Sequence, residues 1–208
     1  ISNNQLTLKK IETNLNSIRL KSPLIKIEKK KDIFFVDGEV ANEEQNFDIN
    51  KLKPIFGDLP NNIEIEKIDF NSINIFSFNV NKKLKLNNLK LETNLNLENF
   101  QIVKNPLNLK TFLPNYTEQI KFKDHKIKIK LTKSILDIKG DGDIYIGDES
   151  EKLSYSVIKD GREITFDTNL NIKNNPLTIN FLDYKKKKES SSEILLKGIY
   201  KKNKELIF

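Results

Sequence analysis

The chain has 208 residues, a formal net charge of +7 and no cysteine. That length allows one domain or two small ones with a real core, while the missing thiols exclude disulfides, thiol nucleophiles and cysteine metal sites and fit either a reducing compartment or an envelope protein without staples. The hydrophobic share of 37% is carried by Ile, Leu and Phe, with Ala41 the single alanine, which favours strands over helices. Lys and Asn abound, as an AT-rich genome would make them, so the pI near 9.3 is partly a coding habit. No run approaches the roughly 18 apolar residues that span a bilayer, and the N-terminus carries no signal peptide. The chain opens on Ile1 with no Met anywhere and closes on Lys204-Glu205-Leu206-Ile207-Phe208, which reads as the start of a strand. It is expected to be a piece of a longer protein, with any membrane anchor outside it.

Taken in chain order, residues 1–83 read as a less regular, N-terminally truncated β-module and 84–208 as a β-repeat region continuing past the C-terminus. The string Thr-Asn-Leu-Asn starts at Thr13, Thr93 and Thr168, at intervals of roughly 75 to 80 residues, and each copy is followed by a Pro-Leu pair: Pro23-Leu24, Pro106-Leu107 and Pro176-Leu177. In the first copy the apolar parity slips from Ile11, Thr13 and Leu15 to Ile18 and Leu20, as a bulge would cause. Asn50 to Leu59 and Pro114 to Gln119 could each form a turn or two of helix, limited by prolines. Leu89, Leu91, Thr93, Leu95 and Leu97 align one for one with Ile164, Phe166, Thr168, Leu170 and Ile172. Both segments read as long strands with one apolar face. Lys126 to Leu131 alternates, with Ile127, Ile129 and Leu131 opposite the lysines. Leu136, Ile138, Ile144 and Ile146 share one parity across Gly140-Asp141-Gly142, as one bent strand or two. Turn signals at Asp37-Gly38, Asn61-Asn62, Asn87-Asn88, Gly147-Asp148 and Asp160-Gly161 suit an antiparallel meander. The fold class expected is all-β: an elongated antiparallel sheet of tandem repeats.

Little in the sequence points to catalysis. His125, the single histidine, lacks partners at known offsets, and no G-x-S-x-G, H-E-x-x-H, P-loop or G-x-G-x-x-G is present. Asp137, Asp141, Asp143, Asp148 and Glu149 lack calcium-loop spacing and read as turn residues on a solvated edge. No catalytic residue, metal site or cofactor is expected. Nucleic-acid binding pairs clustered basic residues with stacking aromatics, whereas here Lys is spread along outward strand positions and Arg occurs at Arg19 and Arg162 alone, so no nucleic-acid partner is expected. The run Lys185-Lys186-Lys187-Lys188 could meet anionic headgroups and reads more simply as a solvated loop before Ser190-Ser191-Ser192.

The segments Leu89 to Leu95, Lys139-Gly140-Asp141-Gly142-Asp143-Ile144 and Asn175-Pro176-Leu177 through Phe181 to Lys187 resemble the AsmA-like family of bridge-like lipid-transfer proteins of the bacterial envelope. The resemblance covers about 84–208. It implies a non-enzymatic periplasmic protein, anchored to the inner membrane by a segment not present here, with a curled sheet whose hydrophobic groove passes phospholipid between inner and outer membranes. The lipid-binding lining would then be Leu89, Leu91, Leu95, Leu97, Ile127, Ile129, Leu131, Ile144, Ile146, Ile164, Phe166, Leu170 and Ile172. The same side chains would equally fill a closed core, since buried strands have one pattern in both cases. Two alternatives therefore stay open: a structural or adhesive β-repeat protein with closed cores, and a lipopolysaccharide-transport type β-jellyroll.

Overall fold

In the computed structural model, residues 4–15, 18–43, 64–104 and 109–201 are described. Twelve strands follow in chain order: β1 (Gln5–Leu15), β2 (Ile18–Lys30), β3 (Ile33–Asn42), β4 (Glu64–Asn81), β5 (Leu86–Lys104), β6 (Ile120–Thr132), β7 (Ile135–Ile146), β8 (Glu149–Asp160), β9 (Glu163–Ile172), β10 (Leu177–Ile179), β11 (Tyr184–Lys186) and β12 (Ser192–Lys201). A single 3-10 turn at Asn180–Leu182 is the only helical element among the described residues. The expected short helix at Pro114 to Gln119 is a set of turns, and that at Asn50 to Leu59 lies outside the described residues.

Ten strands form one antiparallel sheet in the order β1-β2-β3-β4-β5-β6-β7-β8-β9-β12, and β10 pairs with β11 in a small hairpin. The sheet is a meander in which short reversals join β2 to β3, β4 to β5, β6 to β7, β7 to β8 and β8 to β9, while longer segments separate β3 from β4, β5 from β6 and β9 from β12. Gly147 and Gly161 supply positive φ at two of these turns, as the sequence signals there predict. The sheet is open, neither closed nor strongly curled. At about 4.8 Å per strand it is about 45 Å wide, and β5, with 19 residues, is about 60 Å long.

Several turn signals belong to strands instead. Asp37-Gly38 lies inside β3, where Phe76 and Ile25 occupy the space a Cβ on Gly38 would take. Asn87-Asn88 lies inside β5, where Asn88 takes φ 53° beside a register shift against β4. Asn61-Asn62 falls outside the described residues. The parity slip of the first repeat is a chain reversal and not a bulge, since Leu15 pairs with Ile18 across two separate strands. The Gly140-Asp141-Gly142 segment belongs to one continuous strand, β7.

True bulges sit in the middle of the sheet. Lys123 and Lys126 of β6 face Asp143 and Asp141 of β7, so two residues of β6 stand against Gly142 alone. Asp124 absorbs the extra residue at φ 53°, a conformation Asp tolerates better than most residues. On the adjoining strand the β4–β5 register shifts next to Leu97, the partner of His125. Together these shifts move the apolar positions from even numbers (Ile120, Phe122) to odd ones (Ile127, Ile129, Leu131) while keeping them on one face.

Candidate apolar binding face

Cross-strand partners share a face, so the register assigns every side chain. One row runs unbroken over ten strands: Leu8, Ile25, Gly38, Phe76, Leu91, Leu131, Leu136, Lys159, Ile164 and Tyr200 are consecutive partners. The neighbouring row on the same face carries Thr93, Ile129, Ile138, Val157 and Phe166. Leu95, Leu97, Ile127, Ile144, Ile146, Leu170 and Ile172 fall on this face through the same pairings, and alternation adds Leu89. Every lining residue expected from sequence therefore stands on one face of one sheet. The reverse face holds Glu92, Lys126, Lys128, Lys130, Asp137, Lys139, Asp141 and Asp143, with ion pairs such as Lys130–Glu92 at 3.2 Å and Lys152–Asp143 at 2.6 Å. Asp137, Asp141 and Asp143 are thus strand residues interleaved with lysines, not turn residues.

Two regimes divide the apolar face. At one end, the loop 109–119 and the β10–β11 hairpin fold over it and make a closed core of Leu113, Tyr116, Ile120, Ile146, Ile172 and Leu177, with Phe122, Ile144 and Leu170 packed against it. The two covering segments are tied by Thr178 N–H donating to the Phe112 carbonyl at 2.8 Å. Elsewhere, among the described residues, no loop or hairpin joins the hydrophobic clusters of this face. Leu89, Leu91, Leu95, Ile127, Ile129, Leu131, Ile164 and Phe166 are all half-buried, as alternate residues of an uncovered sheet must be. Beyond the cap, the buried hydrophobics among the described residues are Leu97 and Ile18, the latter packed with Leu20, Ile68 and Phe70.

Polar groups on this face are internally satisfied in part. Thr93 Oγ donates to Asn74 Oδ1 at 2.8 Å, and Asn74 Nδ2 donates to the Val40 carbonyl at 3.0 Å. His125 is 1% exposed, its ring lying where Gly142 has no side chain and meeting Phe122 at 5.5 Å and Tyr155 at 6.0 Å between ring centroids. Its Nε2 is 2.9 Å from the Asp143 carbonyl, while Nδ1 is buried with no hydrogen-bond partner. Burial pushes its pKa below the ordinary 6.5, outweighing the opposing pull of the Asp143 carbonyl and of the Asp143, Asp141 and Asp124 carboxylates. The imidazole is therefore held neutral, with Nε2–H donating.

No family model, curated protein or solved structure matches the chain. The geometry alone bears on function.

Sequence reasoning missed the clasp that holds the cap down. Glu151 of β8 is 2% exposed and stands on the apolar face opposite Ile144. Its carboxylate accepts from the backbone N–H groups of Lys173 (2.7 Å), Asn174 (3.2 Å) and Asn175 (2.6 Å), and from Asn175 Nδ2 (3.0 Å). From the other side Lys186, 5% exposed, donates to the carbonyls of Lys173 (3.1 Å), Asn175 (2.6 Å) and Lys187 (3.1 Å). One loop thus has its amides held by a carboxylate and its carbonyls by an ammonium. The lysine run is accordingly not a uniform solvated loop: Lys186 points inward and Lys188 pairs with Glu149.

Proposed function

We propose that this chain is a segment of a non-enzymatic lipid-transfer protein of the AsmA-like kind, whose apolar sheet face shields phospholipid acyl chains on the way between inner and outer membranes. The observation that carries the reading is the apolar face that the described residues leave uncovered outside the capped end: half-buried Ile, Leu, Val and Phe side chains run across the sheet, with a lysine-rich face behind them. Each CH₂ withdrawn from water contributes about 0.8 kcal/mol, so a face of this kind binds acyl chains without any directional chemistry. One leaflet of hydrocarbon is about 15 Å deep, half of the roughly 30 Å bilayer core, and several chains fit side by side on a sheet about 45 Å wide. Curling of the sheet in the whole protein would turn the face into a groove.

The test is native mass spectrometry of the chain purified from a Gram-negative periplasm, with lipid extraction. Phospholipid should co-purify and be lost when Leu95 and Phe166, both outside the closed core, are changed to Asp. A folded chain that carries no lipid and takes none up from vesicles would overturn the reading and leave a structural β-repeat.

A further inference from the structure

The two edges of the sheet differ in how they are protected. A free edge strand is a template for another strand, and proteins blunt such edges with bulges, prolines and central charges. At β1 these devices are present: Lys9 and Lys10 sit mid-strand, Lys10 has φ 52°, and the adjoining β2 carries Pro23 where its register shifts. At β12 the bulge and the proline are missing among the described residues, and Lys197 is the charge at mid-strand. The strand's ten pairs with β9 run without a shift, it has no proline and no residue at positive φ, and β9 is its one described neighbour. Ile194, Leu196 and Tyr200 are exposed on the apolar face, and Leu195, 58% exposed, stands on the otherwise polar face opposite Asn169.

We propose that β12 is the docking edge for a second copy of this chain, paired antiparallel about a two-fold axis through Leu195. The sequence of the strand is self-complementary in that register. Leu195 meets Leu195 of the second copy, Ile194 meets Leu196 on the apolar face, and Glu193 meets Lys197 on the polar face, each of the last two pairs occurring twice. Opposite charges and apolar side chains directly across an antiparallel pair are the favourable combinations, and a two-fold axis makes the contact close on itself. Because an axis normal to the sheet keeps paired residues on the same side, the apolar faces of both copies join into one surface twice as wide. This pairing stands apart from the acyl-chain reading, and either can fail without the other.

Sedimentation velocity on the full chain tests it. The wild-type chain, 24.2 kDa, should sediment as a dimer. Leu195→Lys, at a solvated position, should weaken association by about tenfold or more, since like charges placed directly opposite repel. Glu193→Lys and Lys197→Glu should each be monomeric alone and form a mixed dimer when combined, a rescue that damage to either monomer cannot mimic. The chain has no cysteine, so Leu195→Cys under mild oxidation should give a disulfide-linked dimer and Tyr200→Cys should not. A wild-type monomer at all concentrations, an open series of larger species, or a failure of the mixture to associate would overturn the proposal.

Discussion

Replacing Glu151 by Ala removes the acceptor for four donors in a loop more than twenty residues away. Hydrogen bonds to a charged group contribute about 1.5–3 kcal/mol each, and a buried donor left unsatisfied costs about 1–3 kcal/mol. The bonds at Lys173, Asn174 and Asn175 act as one set, so their losses do not add. Water entering the vacated space would recover part of the loss, and the expected cost is about 3–5 kcal/mol. Against a typical total stability of about 5–15 kcal/mol that is severe. Glu151→Gln should lose nearly as much, because its amide turns one acceptor into a donor aimed at backbone N–H groups. Urea unfolding of the whole chain measures the cost, and hydrogen exchange locates it: the amides of Lys173 and Asn175 should lose protection first. A stability change under about 0.5 kcal/mol, within the range of ordinary surface substitutions, or unchanged exchange at those amides would refute the clasp.

Two further predictions concern the bulge beside Gly142. A Cβ there would run into His125 Cδ2 and lie 2.7 Å from the His125 Cα, so Gly142→Ala should cost at the upper end of the roughly 1–3 kcal/mol typical of overpacking; equal stability of variant and wild type in urea would contradict the close approach. His125 is held neutral in the fold and gains a proton below about pH 6.5 when unfolded. Its contribution is therefore complete above pH 6.5 and is lost as pH falls toward the lowered folded pKa, with a slope of at most about 1.4 kcal/mol per pH unit. Urea titrations at several pH values should show a shallower dependence in His125→Phe than in wild type; parallel curves would mean that the imidazole is solvated.

What the sequence made legible was governed by alternation. Ile127, Ile129 and Leu131, or Ile164 and Phe166, declare a face because a period of two leaves no other arrangement, and all the expected lining residues stand together for that reason. The bulges were legible in principle: Ile120 and Phe122 differ in parity from Ile127, and an odd shift within one strand implies an extra residue. Asp37-Gly38 misled because glycine marks a close approach as readily as a turn, here the approach of Phe76 and Ile25. The division of the face into a capped end and an open remainder was not legible, since Ile146 and Leu131 have the same pattern and differ only in what folds over them. Glu151 and Lys186 were invisible because most of their partners are backbone groups of the 173–175 loop, which leave no mark on side-chain patterning.

The most direct measurement is photo-crosslinking with a phospholipid that carries its reactive group at the acyl terminus, followed by mapping of the modified residues. Adducts are expected at Leu95, Ile129, Val157 and Phe166, on the part of the apolar face outside the cap, and none at Asn94, Lys128 or Asn169 on the reverse face. Adducts spread evenly over both faces, or none in a folded chain, would contradict the acyl-chain reading.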